Sequence, residues 1–233
     1  DSYLVPYLIF EMADGDMRGH LNYSSKTDLA WTLRLLHHVT VGLQQLHGVK
    51  IAHQDLKPSN VLVFGGLISK LADLGRASHP DFTPPHDKLV IPGGLGYAPP
   101  ELLYRYTDPD YNRRRFGSDL FLLGNIVLFA FTKQTVSALL VAFTKPEHMA
   151  NAWYPRTYQE ALPFLQQAFG DSIGYITFYL PPEVKDDIKI VLQYLCEPDL
   201  TRRGHPLDRG TYSLQRFASI FDRLAWKAEN NLF

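Results

Sequence analysis

Asp55, Lys57 and Asn60 fall close together in the run His53-Gln54-Asp55-Leu56-Lys57-Pro58-Ser59-Asn60, and Asp73-Leu74-Gly75 follows thirteen residues after Asn60. Two carboxylates, an amide and an ammonium group at this spacing suit phosphoryl transfer. In that reaction the protein does little covalent work: a carboxylate orients the attacking hydroxyl and accepts its proton, and oxygen ligands hold Mg²⁺. Asp55 is the candidate base, and Asn60 and Asp73 are the candidate metal ligands. Lys57, two residues from Asp55, would neutralise charge building on the transferred phosphate. Each of the four alone could be a turn residue, since Asp and Asn favour turns and Pro58 fixes one. The set of four at this spacing is much harder to read that way.

Such a site needs Asn60 and Asp73 brought back to one place, and the chain between them provides the means. Residues 61–64 and 67–72 are two short apolar runs flanking Gly65-Gly66, a pair favoured in tight hairpins. Upstream, Leu29, Leu33, Leu36, Val39, Leu43 and Leu46 recur at three- and four-residue steps, which predicts an amphipathic helix with Thr27 as its cap. Residues 3–12 are apolar and end at Asp14-Gly15, which predicts a buried strand closed by a turn. Residues 73–100 are rich in proline and glycine without a period, and long irregular segments in compact domains usually carry function.

The most apolar run, residues 120–131, is interrupted by Gly124 and Asn125. It is well short of the roughly 20 residues of a membrane span, so it predicts a buried core helix beginning near Ser118. Two later helices are predicted over residues 183–196, from Val184, Ile188, Val191 and Leu195, and over residues 212–226, from Leu214, Phe217, Ile220 and Leu224. The fold class is mainly α, with one small hairpin carrying the candidate site.

Composition narrows the partners. The 233 residues are 45% hydrophobic and 20% charged, enough for one globular core. Lys plus Arg (23) nearly balances Asp plus Glu (24), so no overall field draws the chain to nucleic acid or an anionic membrane. Cys196 stands alone and can form no internal disulfide, which fits a reducing compartment, and a cytoplasmic location is expected. Residues 1–11 lack the basic start of a signal peptide. Trp31, Trp153 and Trp226 read as packing residues, without the aromatic-basic interleaving of single-strand binders. His37, His38 and His47 have no carboxylate or cysteine at metal-ligand spacing, and His53 reads as a packed structural histidine. Arg113-Arg114-Arg115 could hold a phosphate or an acidic substrate, but a charge run in a polar loop is more often solvated surface.

The run 53–60 together with Asp73-Leu74-Gly75 resembles the protein-kinase catalytic loop, H-R-D-L-K-P-x-N, and the D-F-G metal motif. Gly96-Tyr97-Ala98-Pro99-Pro100-Glu101 is similar to the A-P-E end of the activation segment, and residues 117–124 resemble the start of the family's central helix. The resemblance implies the large C-terminal lobe of a serine/threonine protein kinase that uses ATP and Mg²⁺ on a protein substrate. Residues 1–16 would be the last small-lobe strand and the hinge, and residues 17–233 the C-lobe, with an activation segment at 73–101.

It also implies particular roles. Asp119 would hold the catalytic-loop backbone, and Glu101 would pair with Arg203. Glu11 and Ala13 would meet adenine through their backbone, with Phe10 beside the adenine, Leu62 beneath it and Asp16 at the ribose. Gln54 stands where the family commonly has the Arg that binds a phosphorylated activation loop, implying a non-RD kinase. Leu74 replaces Phe, and Gly94 replaces a Thr. The resemblance implies a Gly-rich phosphate loop, a strand Lys and a helix Glu ahead of Asp1, so the small lobe would come from the full-length chain or from another chain, and the chain alone would be inactive. The alternatives are a pseudokinase or scaffold that only binds, or a small-molecule phosphotransferase of the aminoglycoside type. Lys57 and the Pro99-Pro100-Glu101 element favour a protein substrate.

Overall fold

A computed structural model describes residues 7–23, 28–154 and 156–233. At its N-terminal side β1 (Gly15–Asp16) leads directly into α1 (Met17–Tyr23). The expected strand over residues 3–12 is not formed in its described part. Residues 7–12 are irregular, with Leu8, Ile9, Phe10 and Met12 exposed, because no described strand lies beside them to complete a ladder. Residues 3–6 lie outside the described residues.

The leucine-rich repeat at three- and four-residue steps forms α2 (Leu29–Gly48). Its cap is Asp28, which accepts the N–H groups of Ala30 (2.8 Å) and Trp31 (3.3 Å). Thr27, the expected cap, lies outside the described residues. Leu33, Leu36, Val39 and Leu43 are wholly buried on one face.

The hairpin follows as β2 (Val61–Phe64) and β3 (Ile68–Leu71), with Val61 opposite Leu71 and Phe64 opposite Ile68. Gly65 and Gly66 have φ of 57° and 66°, left-handed backbone that glycine adopts without strain, and Leu67 completes a three-residue turn. β1 pairs antiparallel with β2, placing Asp16 directly opposite Leu62.

After a segment of short 3-10 turns come α3 (Pro100–Leu103) and then a π turn (Asn112–Phe116) that runs into α4 (Gly117–Thr132). Helix α4 is apolar on every face and buried almost throughout, as a core helix must be. With the π turn it reaches 21 residues, long and apolar enough by length and composition to cross a membrane, but 83% of its most apolar window is packed inside the fold.

Three helices follow, α5 (Val136–Phe143), α6 (Ala150–Trp153) and α7 (Tyr158–Ile176). Then come α8 (Lys185–Leu195) and α9 (Gln215–Glu229). Helix α9 lies along α2, burying Phe217, Phe221 and Leu224, while α8 packs on α4. A Cβ on Gly124 would stand 2.0 Å from Cys196 Sγ, so this contact between α4 and the end of α8 needs the glycine.

Candidate active site

Asp119, in the first turn of α4, is wholly buried, and its oxygens accept the backbone N–H groups of His53 (2.7 Å) and Gln54 (2.8 Å). His47 Nε2 lies 2.9 Å from the same carboxylate. A buried carboxylate is stable only with such partners, so the core helix and the loop fix each other. Gln54 is held at φ 64°, a conformation that a non-glycine residue keeps only when its surroundings impose it. His53 Nε2 is 3.1 Å from the Ala72 carbonyl, which ties the loop to the residue before Asp73. This buried histidine is a packing element.

On this frame the structure brings Asp55, Lys57 and Asn60 together. Lys57 Nζ donates to Asp55 Oδ2 at 2.6 Å, and Asn60 Nδ2 donates to the Asp55 carbonyl at 2.8 Å. Asp55 Oδ1 accepts the backbone N–H of Gly94 at 3.0 Å, a contact between the loop and the 73–101 stretch; the sequence marks Gly94 only as standing where the resemblance implies a Thr.

Asp73 is placed by the hairpin: the Ala72 N–H donates to the Asn60 carbonyl at 2.9 Å. Asp73 has φ 58°, is exposed, and among the described residues accepts only a long 3.4 Å bond from Gly75 N–H. Asn60 donates its amide N–H to the Asp55 backbone, and its Oδ1 accepts only a long 3.4 Å bond from the Ser59 hydroxyl, which leaves a lone pair on that oxygen. One carboxylate and one amide oxygen, both with free lone pairs, fit Mg²⁺, which prefers oxygen ligands and fills its remaining positions with water and substrate phosphate.

The adenosine-side candidates divide. Leu62 and Asp16 are opposite each other across the β1–β2 ladder. The Asp16 carboxylate is already engaged by Gly19 N–H (2.9 Å) and the Arg18 guanidinium (3.0 Å). Burial works against its charge, but these two partners hold it below its ordinary range. Glu11 pairs with Lys70 on β3, next to Leu62 across the hairpin. Ala13 is half-buried, whereas Phe10 is 78% exposed.

The end of the segment is anchored by Glu101 on α3. Arg203 donates to both of its oxygens, at 2.7 and 2.8 Å, and also to the carbonyls of Gly117 (3.0 Å) and Glu197 (2.8 Å). Arg203, not Arg202, is therefore the partner. Burial opposes the Arg203 charge, but Glu101 holds it in the charged form.

The arginine run departs from expectation. Arg113 Nε grips Asp108 at 3.0 and 3.1 Å, Arg114 donates to the Asp108 carbonyl, and Arg115 is buried rather than solvated. The π turn is the reason, because it swings Arg115 inward beside Phe116.

A family model described as protein kinase domain matches residues 3–206. The chain belongs to the protein kinase family. U-box domain-containing protein 34 of Arabidopsis thaliana is 31% identical over 150 residues, which are 58% of this chain and 18% of that protein. LRR receptor-like serine/threonine-protein kinase IOS1 of Arabidopsis thaliana is 35% identical over 140 residues, 55% of this chain and 15% of that protein. CTD kinase subunit alpha of Saccharomyces cerevisiae is 34% identical over 109 residues, 46% of this chain and 20% of that protein. The chain thus spans at most a fifth of the length of these curated relatives. Among solved structures, the yeast RNA Pol II CTD kinase CTDK-1 complex aligns with a TM-score of 0.62 at 23% identity, over 88% of this chain and 68% of that one. That likeness shows a kinase fold, and the mainly helical architecture with its small antiparallel sheet is a kinase C-lobe.

Proposed function

We propose that this chain is the catalytic-loop lobe of a cytoplasmic serine/threonine protein kinase that transfers the γ-phosphate of ATP to a protein hydroxyl. The observation that carries this reading is the Asp55 carboxylate, whose Oδ2 meets Lys57 while its Oδ1 is fixed by the Gly94 N–H. A base held at both oxygens is oriented before substrate arrives. Asp55 would accept the hydroxyl proton, and Lys57 would balance the charge that grows on the transferred phosphoryl oxygens. Asn60 and Asp73 would hold Mg²⁺, which bridges the phosphates and neutralises their charge.

Leu62 would form the floor under adenine, with the backbone of Glu11 and Ala13 at its edge. Asp16 would reach a ribose only by sharing its carboxylate with Arg18. Gln54 in place of an arginine supports a non-RD kinase. A protein substrate is supported by Lys57 and by relatives named as serine/threonine-protein kinases. The single, buried Cys196, whose thiol is pushed up by burial, supports a reducing location.

The test uses the chain joined to a small lobe, assayed with Mg²⁺-ATP and a generic protein acceptor. Asp55→Asn and Asp73→Asn should each reduce turnover by several powers of ten while leaving the thermal transition in place. Wild-type turnover by Asp73→Asn would remove the metal assignment, and by Asp55→Asn the assignment of the base.

A further inference from the structure

Residues 74–99 contain no helix beyond short 3-10 turns and no strand of the sheet, yet this stretch must deliver Gly94 to Asp55. An irregular segment keeps one position only if specific contacts offset its conformational entropy. Here a buried arginine supplies them. Arg115 leaves the π turn with a side chain only 5% exposed, and its guanidinium donates to Gln54 Oε1 and, at 2.7 Å, to Asp87 Oδ1. Gln54 Nε2 in turn donates to the Arg76 carbonyl at 2.9 Å, at the start of the same segment. One guanidinium therefore joins the first turns before α4, the catalytic loop and the middle of the activation segment. Beside it, His86 Nε2 lies 3.0 Å from the Ala77 carbonyl and folds the segment onto itself.

Six residues beyond Asp87 the segment returns to the same two loop residues. Gly93 passes so close that a Cβ there would lie 2.4 Å from the Gln54 carbonyl oxygen, and Gly94 N–H then reaches Asp55. Arg115 is buried enough that its charge is costly without a carboxylate beside it, and Asp87 is that carboxylate.

We propose that Asp87, Arg115 and Gln54 form a permanent latch, in which an encoded carboxylate, with no added phosphate, sets the activation segment against the catalytic base. Asp87 and Arg115 are positioning residues acting through Gln54 and Gly93. The proposal rests on the kinase reading only for its effect on turnover; the latch itself is a property of the fold.

Hydrogen exchange on the chain, shown by intact mass to carry no phosphate, tests it directly. Residues 85–95 should be protected in the wild type. Asp87→Asn, a change at the outer, partly exposed end of the pair that leaves Arg115 in place, should lower that protection by about tenfold or more while α8 is unaffected. Asp87→Glu should retain it, which a purely steric role would not require. Arg115→Gln combined with Asp87→Asn should open the segment no further than Asp87→Asn alone. In a complete domain Asp87→Asn should lower kcat and leave the KM for ATP unchanged. Unchanged exchange in Asp87→Asn, or an equal rise in every helix, overturns the latch whether or not the domain transfers phosphate. Local opening in a domain that never transfers phosphate would instead keep the latch and reject the kinase reading.

Discussion

Glu101 and Arg203, 102 residues apart in the chain, are joined by two parallel hydrogen bonds of 2.7 and 2.8 Å with both side chains almost wholly excluded from solvent. The guanidinium also lies over the Phe121 ring at 5.1 Å and serves three backbone carbonyls. Nothing is left unpaired, so the pair ties the end of the activation segment to the start of α4 and the loop before α9.

Removing one partner leaves the other charge buried and alone. Arg203→Ala should therefore cost about 3–5 kcal/mol, read as a clear fall in the denaturation midpoint. Arg202→Ala, on the exposed neighbour, should change stability by less than about 0.5 kcal/mol. Equal losses in the two variants would show that the bidentate pair carries no special share of the stability.

Acid should loosen the fold through the paired histidines of α2. Burial lowers the affinity of His37 and His38 for a proton; for His38 the neighbouring His37 and Arg34 add to the effect. His38 Nδ1 also accepts the Ser69 N–H from β3 at 3.4 Å, a role the protonated ring cannot fill. As pH falls through about 6.5, the unfolded chain takes up these protons first, so stability drops until the lower folded-state values are passed. His205, lowered by burial and by Arg216, acts with the same sign. Melting temperatures measured from pH 7.5 to pH 5 should decline, and His38→Gln should flatten the slope. An unchanged slope in that variant would sink the assignment.

The exposed stretch Tyr7 to Met12 bears on nucleotide binding. Leu8, Ile9, Phe10 and Met12 are exposed beside the hairpin that carries Leu62. Under the proposed reading, residues 1–233 alone would offer a floor, a hinge-side edge and metal ligands, but no Gly-rich loop to clamp the phosphates. We expect weak binding of Mg²⁺-ATP and negligible transfer by this polypeptide in isothermal titration and phosphotransfer assays, because unfixed phosphates forfeit most of the benefit of positioning. Micromolar affinity with measurable phosphorylation would refute this. Joining a small lobe should restore binding and chemistry together.

Much of this architecture was legible because it is local. The period of the α2 leucines, the Gly65-Gly66 turn and the apolar run of α4 are written in consecutive residues. The loop motif also sets Asp55, Lys57 and Asn60 within six residues of one another, and the structure joins them by hydrogen bonds on a loop whose backbone Asp119 holds. Helix α7 stayed hidden because Pro163, Gly170 and Gly174 interrupt its pattern, although Thr157 and Glu160 carry a capping-box signature that marks its start. The strand expected over residues 3–12 is not formed in its described part, residues 7–12, because hydrophobicity announces burial and a strand forms only where a neighbour exists. Arg115 was misread for the converse reason: its burial depends on a π turn and on Asp87, twenty-eight residues away, neither of which a charge run reveals.

Gly93 and Gly94 are neighbours of opposite tolerance, and that contrast tests how closely the activation segment is seated on the catalytic loop. A Cβ on Gly93 would lie 2.4 Å from the Gln54 carbonyl oxygen and 2.9 Å from Asp55 Oδ1. Gln54 cannot retreat, since Asp119 holds its N–H and Arg115 its side chain, so the segment itself must move. On Gly94 a Cβ meets only ordinary contacts, at 3.5 Å from Tyr97 and 3.9 Å from Asp55 Oδ1. Gly93→Ala should therefore cost about 1–3 kcal/mol by overpacking and expose the segment to limited proteolysis. In a complete domain it should also depress turnover, through loss of the Gly94 bond to Asp55. Gly94→Thr should stay within about 0.5 kcal/mol of wild type and bring a hydroxyl near Asp55. Gly93→Ala with wild-type stability and proteolytic resistance would mean that the segment rides farther from the loop than this contact requires.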